Sequence, residues 1–474
     1  MKTPISYKNF FNPEEFFFIF AYIKGEVIGM QDFYGREFLE SEFNLMKNQL
    51  NSKLIDVVKG VENGVCNRCL NEEKNYLPTF SFNEKTITYC RKCLDFGFTS
   101  SETSLYRLSE SPKIAKEVGE LNINFKLSFL QERASSFTKK ILATNDIGMI
   151  WAVCGAGKTE MMFESIRDAL KSGKRVCWAI PRSDVVIDLA PRIKDAFLNA
   201  KVVTLHGNST EKNDYGDIVV TTVHQMIRFY QAFDFLIIDE VDAFPYTFDE
   251  MLVRIAKRAC KPVSATIYLS ATPSRFDQNR IKKGTLKSCI IPARFHLYPL
   301  DVPKFVWCAN FYDNVSKGKI PSPARRWITS KIKEERRALL FVPTIKCGLK
   351  FQAVLKNKMN LDVDFVYSSD ADRLSKVANF KSGGPQFLIT TMILERGVTI
   401  ANIDVGIFAC EHDIYEESAL VQISGRVGRN PKWPTGEIIF FHHGITKAML
   451  DAKEQIVGMN LSARKQNLLK EPNK

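Results

Sequence analysis

Residues 152–159 read AVCGAGKT, and they follow an apolar run, 147–153, with the length and branching of a buried parallel strand. Gly155 and Gly157, with Ala156 between them, let the backbone turn tightly enough for successive N–H groups to point at one centre. Lys158 is placed to reach the β- and γ-phosphates of ATP, and Thr159 to ligate Mg2+. The general phosphate loop asks for glycine where this chain has Ala152, so the stretch follows the variant A-x-x-G-x-G-K-T.

Downstream, short apolar runs at 175–180, 201–205, 217–222, 233–240 and 265–270 alternate with helical patterns. This predicts an α/β fold with a doubly wound parallel sheet. The fourth run ends in Asp239, Glu240, Val241 and Asp242, at the strand end where such sheets present ligands. Asp239 is expected to hold magnesium and Glu240 to orient or deprotonate the attacking water. Ser270 and Thr272 close the next run, where their hydroxyls can hydrogen-bond the acidic motif. Prolines at 292, 299, 303, 321 and 323 mark 291–322 as a linker. A second series follows, at 338–341, 363–366, 387–390, 405–409 and 437–441, without a phosphate loop but with QISGRVGR at 422–429. Arg426 and Arg429 are three apart on a helix and share a face, so both can enter one cleft and stabilise the charge of phosphoryl transfer.

The chain's 474 residues leave room for about three domains. With 45% apolar and 25% charged residues, composition points neither to disorder nor to a membrane protein. The early apolar run 16–23 follows Glu14 and Glu15, too short to span a bilayer and wrongly flanked for a signal peptide, so a cytoplasmic protein is expected. A net charge of +13 calls for a polyanionic partner, and the interval 272–340 holds 15 Lys and Arg against 5 Asp and Glu, as a nucleic-acid track would. Cys66-x-x-Cys69 and Cys90-x-x-Cys93 have the spacing of a four-thiolate zinc site. Such a site is closed, so its expected role is structure or nucleic-acid docking rather than chemistry. The aromatic residues of 1–60, Phe10 to Tyr34, read as packing, 37–59 as helical, and the stretch from about 109 as helical and mixed in charge. The expected domains are 1–60, a zinc element at 61–108, 109–290, the linker 291–322, and 323–474.

Gln131 ahead of the loop, Pro181-Arg182, Thr221-Thr222, DEVD, SAT, Thr390-Thr391, Arg396-Gly397-Val398 and QISGRVGR resemble, in this order, the motifs of superfamily-two helicases. Together with the cysteine element, IPRSDVV at 180–186, DEVDAFP at 239–245 and PARFH at 292–296, the chain is similar to the ComFA family of late-competence DNA translocases. The resemblance runs from about residue 60 to the end of the chain. It implies two RecA-like parallel-sheet lobes preceded by a small zinc-ribbon domain. It also implies that Gln131 reads adenine, that Gln422 contacts the nucleotide, and that Pro181 and Arg182 lie on the DNA track. Thr221, Thr222, Thr390, Thr391 and Gly397 become backbone or nucleotide-coupling contacts. Many members of the superfamily carry Arg where this chain has Ile423, which leaves Arg426 and Arg429 to meet the phosphates. The implied activity is ATP-driven handling of single-stranded DNA during uptake of transforming DNA. The implied partners are a phosphoribosyltransferase-like competence protein and a membrane DNA-uptake channel, with the chain peripheral at the inner membrane face and its oligomeric state open. Two alternatives stand beside this: an ATP-switched nucleic-acid scaffold that does not translocate, and a PriA-like duplex unwinder.

Overall fold

Strands that are apolar along their whole length need cover on both faces, and the core strands of this chain are built that way. The computed structural model describes residues 33–44, 55–108, 121–212, 214–395 and 400–470. β1 (Glu37–Leu39) and β2 (Ile55–Lys59) precede two hairpins, β3 (Val61–Glu62) with β4 (Val65–Cys66) and β5 (Thr79–Phe82) with β6 (Lys85–Thr88), and then comes β7 (Ser104–Leu108). An antiparallel sheet β1-β7-β2 forms the base of this unit, and the hairpins loop out of it. The expected helix over 37–59 is therefore strand at both ends, with helix at Glu40–Asn44 among the described residues, and 45–54 lie outside them. Both ends find backbone partners on β7, and that pairing overrides local helical preference. It also joins residues on either side of the expected boundary at 60 into one sheet. The aromatic run at 10–18 and the stretch 109–120 lie outside the described residues.

The first lobe holds β8 (Ile147–Ala152), β9 (Val176–Ile180), β10 (Val202–Leu205), β11 (Ile218–Thr222), β12 (Phe233–Asp239), β13 (Cys260–Ser270) and β14 (Lys287–Ile291). All pairings are parallel, in the order β10-β11-β9-β12-β13-β8-β14. Helices Phe129–Thr144, Lys158–Lys171 and Ser183–Ala196 bury their apolar sides against one face, around Ile166, Trp178 and Ile193. On the other face Val223, Met226 and Ile255 form a core that also contains the four cysteines Cys66, Cys69, Cys90 and Cys93. The small unit is thus seated on the first lobe. Its buried Glu37 accepts from Arg107 Nε at 2.8 Å and from Arg258 Nη1 at 2.7 Å, so the carboxylate is desolvated only where two guanidinium groups meet it.

The second lobe is another parallel sheet, made of β15 (Lys304–Trp307), β16 (Arg337–Phe341), β17 (Val363–Val366), β18 (Phe387–Thr390), β19 (Ile403–Ile407) and β20 (Ile438–His442), in the order β15-β20-β19-β16-β18-β17. β15 comes from the interval expected to be a linker and pairs with β20, so that expectation needs correcting. Pro303 stands just before β15, and Pro321 and Pro323 open the helix Ser322–Lys333. Element starts are where a missing N–H costs least, so these prolines mark beginnings rather than a hinge. The last helix, Lys447–Lys465, crosses from lobe to lobe. Its Met449, Ala452 and Ile456 belong to the second-lobe core, and its Met459 and Ala463 to the first.

Candidate active site

The phosphate loop leaves β8 with Gly155 at φ 81° and Gly157 at φ 79°, left-handed conformations that favour glycine. A Cβ on Gly157 would also collide with the Gln131 amide. Gln131 closes a capping box with Ser128 at the start of Phe129–Thr144 and donates from Nε2 to Ala156 O at 3.2 Å. Both ends of its amide are engaged, so here it braces the loop.

β13 lies between β8 and β12, which brings the ends of the three strands side by side. Across that gap Lys158 Nζ stands 3.7 Å from Asp239 Oδ1, and Thr159 is buried in the first turn of the helix. Burial opposes the Lys158 charge, but Asp239, with Cys154, Glu240 and Asp242 behind it, more than offsets this and holds the ammonium above its ordinary range. Burial also raises Asp239, against the pull of Lys158. Glu240 is left-handed, φ 54°, which ends the strand one residue earlier than expected; its N–H donates to Asp239 Oδ1 at 2.8 Å. A left-handed glutamate beside a buried aspartate is the kind of site where backbone strain and function coincide. Ser270 Oγ and Thr272 Oγ1, at the end of β13, each donate to Asp242 at 2.7 Å. Their hydroxyls thus tie the middle strand to the acidic motif.

The second lobe meets this edge through the helix Glu417–Ser424 and the turn after it. Gln422 Oε1 accepts from Cys154 Sγ at 3.1 Å, and a Cβ on Gly425 would collide with Cys154. That close approach sets Arg426 and Arg429 against the first lobe. Burial pulls both guanidinium groups down, Arg426 furthest because Arg429 adds to the effect, while Cys154 and Glu240 work the other way on both. Both arginines therefore sit in the field of the Glu240 carboxylate. Arg426 Nε donates to Glu395 O at 3.2 Å, and Arg429 Nε to Gly425 O at 2.8 Å.

The remaining predicted residues divide. Arg182, next to the buried Pro181, reaches the second lobe, with Nη2 3.4 Å from Ile393 O and Nη1 3.8 Å from Glu395. Thr221 and Thr390 occupy matching strand ends in the two lobes, and each donates its hydroxyl to the carbonyl of the next residue, Thr222 or Thr391, at 3.0 and 2.9 Å. Those two hydroxyls shape the turns. Gly397 and its neighbours Arg396 and Val398 lie outside the described residues. Sequence reasoning assigned nothing to Cys154, although its place inside the loop was on view. Its role needs the partner lobe to become visible.

Away from the cleft, the sulfurs of Cys66 and Cys93 are 3.7 Å apart, those of Cys69 and Cys90 3.5 Å, and all four lie within 4.8 Å of one another. Tetrahedral zinc with Zn–S bonds of about 2.3 Å sets sulfurs about 3.8 Å apart, so the donor set fits that ion. Hydrogen bonds within the cluster pull the Cys90 and Cys66 thiols down and push Cys69 and Cys93 up, so the four act as one group.

Three family models match the chain. They are the competence protein ComFA N-terminal domain over 27–107, the type III restriction enzyme res subunit over 124–275, and the helicase conserved C-terminal domain over 324–431. Competence protein ComFA of Bacillus subtilis is 42% identical over 400 residues, covering 84% of this chain and 86% of that protein. The chain belongs to the ComFA family. The Streptococcus pneumoniae member is 35% identical over 435 residues, 91% of this chain and 98% of its own. The family thus spans nearly the whole described molecule, both lobes and the cysteine unit, and makes the chain a competence-related ATPase with helicase domains. S. cerevisiae Dbp5 bound to RNA and ADP BeF3 superposes with a TM-score of 0.51 at 17% identity, over 71% of this chain and 88% of that one. The Mss116p structure bound to ssRNA and AMP-PNP gives 0.51 at 18% identity, over 73% and 75%. At such identities the likeness concerns the two-lobed fold. Among the described residues no helix is long and apolar enough to cross a membrane.

Proposed function

We propose that the chain hydrolyses ATP in the cleft between its lobes and uses the cycle of closing and opening to move along single-stranded DNA. The observation that supports this most directly is the placing of Arg426 and Arg429 in the field of Glu240, opposite Lys158 and Thr159. Lys158 would hold the phosphates, Glu240 would orient and deprotonate water, and the two arginines would stabilise the charge that spreads over the transferring group. Thr159 and Asp239 would hold magnesium, which neutralises phosphate charge when bound. Hydrolysis removes the group both lobes grip, so the cleft opens, and Arg182, which spans the lobes beside the expected strand track, changes partners with it. Family membership adds DNA uptake as the setting, with a phosphoribosyltransferase-like protein and the membrane channel as the proposed neighbours.

The deciding measurement is ATP turnover of the purified chain with single-stranded DNA, duplex DNA and RNA in parallel, combined with displacement of a protein block from the end of a labelled single strand. Stimulation by single strands and block removal that stops in Glu240→Gln are expected. Stimulation without block removal would leave an ATP-switched scaffold, and stimulation by RNA alone would sink the DNA assignment.

A further inference from the structure

The run PARFH at 292–296 follows β14 and takes no part in the chemistry assigned above, yet its arginine lies at the centre of the seam. Arg294 is fully buried. Its Nε donates to Cys154 O in the phosphate loop at 3.2 Å, and its Nη1 donates to Gly428 O, in the turn between Arg426 and Arg429, at 2.6 Å. His296 Nδ1 accepts from Tyr298 N at 3.2 Å, which leaves the proton on Nε2, and that nitrogen lies 3.0 Å from the same Gly428 carbonyl. One carbonyl of the arginine turn is thus gripped twice by one short segment of the first lobe. The turn has no slack of its own: Gly428 is left-handed, φ 67°, and a Cβ there would collide with Pro434 O and stand 2.7 Å from Arg294 Nη1.

A buried guanidinium is a poor source of stability unless a carboxylate meets it. Among the described residues none lies within ion-pair distance of Arg294; nearby Asp301, whose Oδ1 accepts from the Gly436 N–H at 3.3 Å, favours its charge only from farther off. The two acceptors of Arg294 are main-chain carbonyls, one from each side of the cleft. Its planar fork can meet both at once, which the single ammonium of a lysine cannot do with the same directions. Burial lowers its pKa to about 10, so the charge persists at neutral pH.

We propose that Arg294, seconded by His296, is a positioning residue: it ties the phosphate loop to the Gly428 carbonyl and thereby sets where Arg426 and Arg429 stand during phosphoryl transfer. This rests on the reading of those two arginines as the groups that stabilise the transferring phosphate. A residue that acts through the arginines alters turnover without altering how the first lobe holds nucleotide, and its effect disappears once both arginines are already gone.

The test uses the full-length chain with single-stranded DNA. It measures kcat and KM for ATP together with equilibrium binding of a fluorescent ATP analogue, in Arg294→Lys, His296→Asn, Arg426→Ala, Arg429→Ala, the variant carrying both Arg426→Ala and Arg429→Ala, and the triple variant that adds Arg294→Lys to those two. Arg294→Lys is expected to lower kcat about 10- to 100-fold, as loss of a hydrogen bond to a charged donor does, with analogue binding within about threefold of wild type. The triple variant is expected to turn over no more slowly than the variant that lacks both arginines alone. Losses that multiply in the triple variant, or wild-type kcat in Arg294→Lys, overturn the proposal while leaving the reading of the arginines intact. Wild-type turnover in both Arg426→Ala and Arg429→Ala overturns that reading and this proposal with it. Should Arg294→Lys fail to fold, His296→Asn carries the same comparison with an expected loss of about three- to tenfold, because it removes one neutral donor from Gly428 O and leaves the buried charge in place.

Discussion

Single atoms decide how closely the two lobes can meet. Gly425 has no room for a Cβ because Cys154 fills the space, so Gly425→Ala should hold the lobes apart and lower ATP turnover at least about tenfold, while the first lobe keeps its nucleotide affinity. Adding Cys154→Gly removes the opposing Cβ and should restore part of the rate; steady-state kinetics of the single and double variants checks both statements. A second residue-scale effect concerns pH. Burial, opposed by the Gly436 N–H and Arg294, raises Asp301 to about 6, and burial, helped by Arg294, lowers His296 to about 4. Between about pH 4 and 6 an unfolded aspartate is ionised while folded Asp301 keeps its proton, so this group makes folding less favourable as pH rises. His296 does the opposite: the unfolded ring takes a proton below about 6.5 and the folded one resists until about 4, so stability is lost as pH falls. The two slopes offset each other in the wild type. Thermal melts from pH 4 to 7 should show stability rising with pH more steeply in Asp301→Asn than in His296→Asn, and equal slopes in the two variants would contradict the assignment.

Elements tie the cysteine unit to the motor more tightly than its sequence position suggests. Its four thiols share a core with Val223, Met226 and Ile255 of the first lobe, and Glu37 locks the sheet beneath them to Arg258. Cys66→Ser removes one donor from the four-thiol cluster, and in small zinc modules metal binding is folding free energy, about 10 kcal/mol or more. Elemental analysis should find one zinc per wild-type chain and a deficit in the variant. Because the core is shared, melting of the first lobe should also come several degrees earlier, with ATP turnover at low temperature retained since the four thiols of this unit lie away from the cleft. Metal-free wild-type protein would overturn the zinc assignment. Unchanged melting in the zinc-deficient variant would show the unit to be only loosely seated. The terminal helix acts in the other direction, fastening lobe to lobe: besides its two-core packing, Gln455 Nε2 donates to Ala271 O at 2.8 Å, beside the hydroxyls that serve Asp242.

At the scale of the molecule, the proposed catalytic set is complete only when both lobes are present. An isolated first lobe keeps Lys158, Thr159, Asp239 and Glu240 but lacks Arg426 and Arg429, so its ATP turnover should fall about 10³-fold, the order that arginine fingers contribute. Adding the second lobe in trans should restore little, because the strap Lys447–Lys465 and the Arg294 contacts form within one chain. Affinity for single-stranded DNA should fall with salt, each neutralised phosphate contributing about −0.7 to the slope of log K against log salt. Titrations between low and moderate salt that gave a flat line would argue against a phosphate track on this chain of net charge +13.

The alternating apolar runs determined both parallel sheets except their edge strands β14 and β15, because a strand covered on both faces leaves a local signature. The phosphate loop, the acidic motif and the paired CxxC turns were equally legible, since each needs particular residue types at fixed short spacing. Residues 37–59 misled because a strand three to five residues long carries little periodicity and is made by its partner, here β7. β15 was hidden by its flanking prolines, which look alike at a linker and at the start of an element. Cys154, Gly425, Arg294 and His296 could be read as letters but not as contacts. Their partners lie more than 130 residues away, or have one neighbour that does, and only the meeting of two separately folded sheets makes a buried guanidinium, a missing Cβ and a main-chain carbonyl into one seam.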